Sequence, residues 1–547
     1  MSLPTRAPPT ATPETAPEDF PFEWLEARDA ELTWEWDDMH MPQALTPLAG
    51  DYVLLMTQGF GYGYDRLELP IEIKSRIWNG YAYFTADIPL PDAEHEGMWK
   101  RRSVMARQQI ELTHDYWMRG LDEIRAIYAD VAAIPVEDLS GPALADAWDL
   151  AWLRLERPWR VHFYVIRGPY QVLEDLADLY DSIVEDAAPG EALALIGGGA
   201  DELQAVETEL EALVELLRAT PELMLGFPTG DDVVGTLAAR AEAAPFLAAF
   251  EVFLARHGHL GQSWDDLAEA SWVESPDLLM AEIAKRAAEP PGTTAEARRA
   301  ALAERAETLA GRARERLADD PERARAFETT LAAARLIGPI TETHNYWIDR
   351  MVQSLIRRLA MRVGARLVRA DVIAAQADVL FLHVDEITEL LREPANRHGL
   401  VSGRRRDHAY WAARRPPRKL GKPSKDGNGD RFDGVRIVST DPNEVRGTGA
   451  SAGVARGPAR VVLDQATFGA VQPGDIIVCT SSNPSWVPLF AIASGLVTDT
   501  GGVLSHAGVV AREFGLPAVV GTRDGTTRIA DGRLVELDGS TGLVRLL

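Results

Sequence analysis

The residues of this 547-residue chain whose types and spacing best suit chemistry lie between positions 500 and 521. Thr500-Gly501-Gly502-Val503-Leu504-Ser505-His506-Ala507-Gly508 places one histidine where a glycine turn enters a short amphipathic helix. Adjacent glycines allow a sharp turn and let backbone amides approach a ligand closely. A helix starting near Ser505 adds unpaired N–H groups and the positive end of its dipole, and both favour bound phosphate. His506 falls in the first turn, and a neutral imidazole is a competent nucleophile near neutral pH. Arg512, six residues on, is a second source of positive charge. The location suits covalent phosphoryl chemistry at His506, with Gly501, Gly502, Ser505 and Arg512 placed to support a phosphate. Taken alone, the Ser-His pair reads as an ordinary helix N-terminal histidine.

Gly501, Gly502, Ser505, His506, Ala507, Ala511, Arg512, Gly515, Pro517 and Gly521 together closely resemble the phosphohistidine signature of the phosphoenolpyruvate-utilising enzymes, in their mobile, swivelling domain. Gly508 stands where alanine is more usual. Gly449-Ala450-Ser451-Ala452-Gly453-Val454-Ala455-Arg456-Gly457-Pro458 is similar to the opening of that domain. Pro473-Gly474-Asp475-Ile476-Ile477-Val478-Cys479 reads as a turn feeding a buried strand, and Gly495-Leu496-Val497-Thr498 as another. Arg533-Leu534-Val535-Glu536-Leu537-Asp538 and Gly542-Leu543-Val544-Arg545 alternate as a closing hairpin. Residues 436–547 are therefore expected to form an α/β (β/β/α swivelling) phosphohistidine domain, within the usual size of one domain.

A chain of this length holds two or more domains, and 46% apolar residues suffice for sizeable cores. The formal charge of −27 argues against nucleic acid or an anionic membrane as the main partner. A single cysteine, Cys479, excludes an internal disulfide framework and fits the cytoplasm. No apolar run approaches a membrane span, and no signal-peptide pattern is evident. Residues 1–18, rich in Pro, Thr and Ala, are expected to be a disordered tail.

From 19 to 395 the chain reads as a large, mainly α-helical domain. The windows 101–134, 141–187, 200–219, 231–257, 277–288, 295–318, 320–336 and 344–371 carry Ala, Leu, Arg and Glu at helical spacing. Segment 50–90 has more β-branched and aromatic residues and predicts a small sheet or hairpin. The basic, Pro- and Gly-bearing stretch 396–435 reads as a solvated linker and as a hinge for a travelling domain.

Three constellations in the helical region could handle an acceptor. Glu342, His344 and Trp347 lie in Thr341-Glu342-Thr343-His344-Asn345-Tyr346-Trp347. His257 and His259 flank a glycine, with Asp265 and Asp266 downstream. Trp159, Arg160, His162 and Tyr164 form a third group. An acceptor hydroxyl needs a base within hydrogen-bond reach and a dry wall for its carbon skeleton. Glu342, His344 and His259 are the candidates for the first role, and Trp159, His162, His257 and Trp347 for substrate contact. Each is competed for by a structural reading, since Trp on a helix is usually core. His257-x-His259 is too sparse for zinc, and no metal ion is predicted. The helical region also resembles the substrate domain of rifampin-phosphotransferase-like members of the family, in Trp34-Glu35-Trp36-Asp37-Asp38, in His257-Gly258-His259-Leu260-Gly261 and in Asp378-Val379-Leu380-Phe381.

No Walker-type loop or Gly-rich phosphate-binding segment precedes the histidine domain, and no barrel follows it. The resemblance then implies a phosphotransferase in the manner of phenylphosphate synthase. A separate ATP-grasp subunit would bind ATP and Mg2+ and phosphorylate His506, and a small aromatic alcohol such as a phenol would accept the group. A non-enzymatic phosphocarrier and an antibiotic phosphotransferase component are the alternatives.

Overall fold

The computed structural model describes residues 19–422 and 441–547, except 39, 67–69, 89, 189, 198–200, 229, 231, 261–266, 289, 291–292, 464, 483–485 and 504. The expected tail 1–18, Asp265 and Asp266 lie outside the described residues, as does 423–440 of the expected linker.

The helical windows fold as helices, and their ends follow local capping chemistry. Ser140 accepts a hydrogen bond from the Ala143 amide and is followed by Gly141-Pro142 at the start of helix Gly141–Val165. Thr294 and Asp320 cap Ala295–Arg316 and Pro321–Ile337 in the same way. The helices Pro47–Asp65, Asp92–Ala132, Gly141–Val165, Arg167–Ile183 and Met351–Arg369 bury one apolar core, in which Leu48, Tyr52, Trp148, Leu155, Trp159, Ile356 and Val363 are sequestered. Two of these helices cross so closely that a Cβ at Gly59 would stand 2.5 Å from the Trp159 Cβ. A second core joins Asp201–Arg218, Ala244–His257 and Asp277–Ala288 through Leu210, Phe246, Phe250, Phe253, Trp272 and Tyr346.

Segment 50–90 differs from expectation in its first half, which belongs to helix Pro47–Asp65. Its second half is a hairpin of β2 (Glu72–Trp78) and β3 (Tyr81–Asp87). Asn79 and Gly80 both take positive φ at the turn, as a two-residue hairpin loop demands. β3 pairs with β1 (Thr33–Trp36), and β1 with β4 (Lys419–Gly421).

β4 corrects the expected hinge. Residues His398–Ala412 form a helix and Lys419–Gly421 a strand on the helical domain, so the first half of 396–435 is folded rather than a solvated linker. Two of its arginines are paired within the helical domain: Arg404 bonds Glu386 at 2.6 and 2.8 Å, and Arg405 bonds Asp378 and lies over the Phe381 ring.

The C-terminal module has eight strands: β5 (Glu444–Arg446), β6 (Thr448–Ser451), β7 (Val454–Val461), β8 (Ile476–Cys479), β9 (Gly495–Thr498), β10 (Ala518–Val520), β11 (Leu534–Asp538) and β12 (Leu543–Leu546). Their order is β5-β12-β11-β7-β8-β9-β10-β6. The central β7, β8, β9 and β10 are parallel, and the flanking pairs are antiparallel, including the predicted β11–β12 hairpin. β8 and β9 are buried at every position, as expected of strands covered on both faces. The molecule is thus a large helical domain followed by an α/β module. Leu203 of the helical domain packs into the module's core beside Ala450, Trp486 and Val510. Arg298 lies over the Phe514 ring, and Lys285 donates to the Val471 carbonyl.

Candidate active site

The histidine loop leaves the C-terminal end of β9, where parallel α/β sheets bind ligands. Asp499 anchors its start, accepting from the Thr526 amide at 3.0 Å and the Thr522 hydroxyl at 3.1 Å. Gly501 has φ of +93°, and a Cβ there would come within 2.7 Å of the Ser505 Oγ. Gly502 has open space around it, so its lack of a side chain keeps the approach clear rather than permitting the turn. Ser505 caps helix His506–Glu513: its hydroxyl donates to the Gly502 carbonyl at 2.7 Å and accepts from the Gly508 amide. Arg512 directs Nη1 to the carbonyls of Val503 and Ala450, at 2.7 and 2.9 Å. It braces the loop against β6 in this arrangement.

His506 is buried, and its Nδ1 meets a carboxylate of the other domain. Nδ1 lies 2.6 Å from Oε2 of Glu342, both side chains being almost wholly enclosed. A carboxylate accepting the Nδ1–H fixes the tautomer and orientation of the ring and makes Nε2 the electron-rich nitrogen.

Glu342 belongs to a segment that brings all three sequence constellations together. Ile340–His344 is α-helical, and Asn345–Arg350 continues it as a π-helix. The wider π turn stacks residues five apart, so Asp349 lies under His344, where an α-helix would place Ile348. π turns of this kind are often found at functional sites. His162 reaches the same point from Gly141–Val165, one turn after the in-helix Pro158. Its ring is 4.5 Å from that of His344, and its Nδ1 is 2.9 Å from Asp349 Oδ1. His344 Nδ1 donates to the Ile340 carbonyl at 2.6 Å, leaving Nε2 as its lone-pair nitrogen. Trp159 and Phe163 wall the group, with ring centres 5.1 and 4.4 Å from His162.

Burial dominates the electrostatics here. It pushes His162 down to about 3, with His40 adding to the effect, and His344 down to about 4, so both imidazoles are neutral. It pushes Asp349 up to about 6 against the pull of His344, Arg350 and His40. Tyr170 is also raised, by burial and then by the charges of Glu342 and Asp349.

The His257–His259 constellation lies on the other side of the segment, around Tyr346. The Tyr346 hydroxyl donates to the Arg256 carbonyl at 3.0 Å and accepts from His257 Nδ1 at 2.8 Å. His259 Nε2 is 3.2 Å from the Tyr346 carbonyl, and burial lowers its pKa to about 3. Trp347 donates Nε1 to Glu202 at 2.9 Å, under the Arg125 guanidinium. These contacts brace the segment from behind.

Residues 471–542 match the family described as PEP-utilising enzyme, mobile domain. The chain carries a mobile domain of the PEP-utilising enzymes. Residues 171–342 match the rifampicin phosphotransferase fourth domain, a span that ends at Glu342. The chain is 34% identical to a rifampicin phosphotransferase of a Streptomyces species, over 62% of its own length and 39% of the relative's. It is 32% identical to the uncharacterized phosphotransferase YvkC of Bacillus subtilis, over 56% of this chain and 37% of that one. It is 30% identical to the chondramide synthase cmdD of Chondromyces crocatus, over 97% of this chain and 14% of that one. The chain thus spans well under half the length of each of these relatives.

The sequence singled out His506, Glu342, His344 and His162, and the structure brings them together around one segment. Asp349 and Tyr170 were missed. Asp349 stands in the same run as Glu342 and His344, but spacing of five carries no common-face signal in an ordinary α-helix. Among the described residues no helix is long and apolar enough to cross a membrane.

Proposed function

We propose that this chain is a phosphotransferase component in which His506 carries a phosphoryl group to the hydroxyl of a small organic acceptor, a phenol or related aromatic alcohol. The observation that supports the reading is the buried 2.6 Å contact of His506 Nδ1 with Glu342, which joins the imidazole of one domain to a carboxylate of the other. With Nδ1–H held by Glu342, the phosphoryl group belongs on Nε2. The acceptor oxygen attacks phosphorus in line, the P–Nε2 bond breaks, and its electron pair returns to the ring. Because Nδ1 keeps its proton, the leaving group is a neutral imidazole, and the Glu342 carboxylate stabilises the cationic phosphorylated ring before transfer. The acceptor's proton passes to a base of the helical domain. Trp159 and Phe163 supply the dry wall that suits an aromatic ring.

The phosphoryl group comes from ATP with Mg2+, bound by an ATP-grasp partner subunit in the cytoplasm. The domains move apart to load and to admit acceptor. Support for that motion is the enclosure of the docked arrangement, in which the His506 and Glu342 side chains are both buried. An antibiotic hydroxyl is the second reading, favoured by the match of 171–342 to the rifampicin phosphotransferase fourth domain.

The test is mass spectrometry under alkaline handling, with Mg-ATP and an ATP-grasp partner, on wild type and His506→Ala. The reading expects an acid-labile gain of one phosphoryl group, absent from the variant and discharged by phenols. Label discharged only by rifamycin-type hydroxyls selects the second reading. Label that no alcohol discharges leaves a phosphocarrier, and label persisting in the variant removes His506 from the mechanism.

A further inference from the structure

We infer that His162, His344 and Asp349 form a binding site for one divalent transition-metal ion. Among the described residues they are the group of histidines and acids whose ligand atoms converge, all lying within 4.8 Å of one another and all buried. They come from two helices that the core holds rigidly, so the convergence does not depend on a flexible loop.

The second observation is a pair of buried polar atoms with no hydrogen-bond partner. His162 Nδ1 and Asp349 Oδ1 are both sealed from solvent and both unsatisfied, although they lie 2.9 Å apart. At that distance an aligned N–H would make a strong bond, so the ring nitrogen does not aim its hydrogen at the oxygen. Two unsatisfied buried acceptors side by side cost free energy that a shared cation would recover. Separations of about 3 Å between neighbouring donor atoms are what an ion with bonds of about 2.0–2.2 Å imposes on its shell. His344 is prepared in the manner of a ligand: Nδ1–H donates to the Ile340 carbonyl, which turns the Nε2 lone pair outward.

Two imidazoles and one carboxylate suit zinc, manganese, iron(II) or cobalt(II) rather than magnesium or calcium, which prefer oxygen shells. Three protein ligands leave coordination positions open, as in catalytic rather than structural sites. Resting on the proposed phosphotransfer to a hydroxyl, the open position takes the acceptor oxygen. The ion lowers that hydroxyl's pKa and fixes the oxygen for attack. The O–H proton then leaves to solvent or a nearby base rather than to the imidazoles, which are occupied by metal.

The probe is cobalt(II), added to the chelator-treated full chain and to His162→Gln and Asp349→Asn. Visible absorption and equilibrium dialysis report binding without any dependence on activity, and circular dichroism verifies the fold. Wild type is expected to bind one equivalent with a d–d spectrum of imidazole and oxygen ligands. Each variant should bind at least about 10-fold more weakly while keeping its helical signal. Failure of folded wild type to bind, or equal binding by both variants, overturns the site. Discharge of preformed phosphohistidine by a phenol, with and without cobalt, tests the role separately. Discharge unaffected by the ion overturns its part in transfer while leaving the proposed function standing, and discharge by no alcohol fails that function while leaving the binding result intact.

Discussion

His506 and His344 are both buried imidazoles whose Nδ1 is fixed by a contact of 2.6 Å, and they differ in what holds it. His506 is held by a carboxylate from another domain, His344 by the carbonyl of its own helix. A carboxylate enriches the opposite nitrogen and stabilises positive charge on the ring, and in the proposed cycle that hold is lost when the domains part. A backbone carbonyl sets only the tautomer, and it belongs to the same helix as its imidazole. On the proposed function one imidazole changes its charge and its neighbours through a cycle, and the other presents an unchanging lone pair. Removing each hold in turn shows whether that division is real.

The largest effect is expected at His506 itself. His506→Ala should abolish the acid-labile label and lower transfer on the order of 10^4-fold or more, as loss of a covalent nucleophile does. The same substitution at His344 should leave labelling of His506 by the donor intact, since the proposed loading step takes place away from the helical domain. Equal loss of label in both variants would erase the distinction.

Next comes Glu342→Gln, which keeps shape and burial but removes the charge. Discharge of phosphohistidine to acceptor should slow about 10–100-fold, the usual cost of losing a carboxylate behind an imidazole. Formation of the label, which occurs with the domains apart, should change much less. Quench-flow measurement of the two half-reactions separates them; a variant impaired only in loading would place Glu342 on the donor side.

How much of this was legible in the sequence follows from whether a feature is local. The histidine loop was, because Gly501, Ser505, His506 and Arg512 act through contiguous backbone, and the strands β8, β9, β11 and β12 fold where their patterns predict. Glu342 and His344 were named in one constellation and His162 in another, because tertiary convergence leaves no trace in spacing. Asp349 required the π turn to be known in advance. Arg404 and Arg405 read as part of a solvated hinge because their partners, Glu386 and Asp378, lie some 20 residues away, on elements that a charge count does not connect.

A third buried imidazole serves as a control on the pH behaviour. Burial holds His259 at about 3 in the fold, below its ordinary value near 6.5. Between these values the unfolded chain binds a proton that the native chain does not. The stability is therefore complete above pH 6.5 and is lost as pH falls toward 3. Replacing His259 by Gln removes that dependence. Between pH 7 and 5 the wild type should lose about 2 kcal/mol more than His259→Gln. Parallel denaturation curves for the two proteins across this range would show that His259 is solvated.

The smallest expected effect divides the bracing side of the segment from its chemical side. Tyr346→Phe deletes one hydroxyl, and with it the bonds to the Arg256 carbonyl and His257 Nδ1. The ring stays in its apolar core, so the cost is that of lost hydrogen bonds and a buried carbonyl, about 1–2 kcal/mol. If Tyr346, His257 and His259 only support the segment from behind, the melting temperature falls by a few degrees while labelling and discharge keep their wild-type rates. A rate loss larger than the stability loss accounts for would move this side into the chemistry. The contrast would then lie between loaded and unloaded states of one continuous site rather than between a working imidazole and a fixed one.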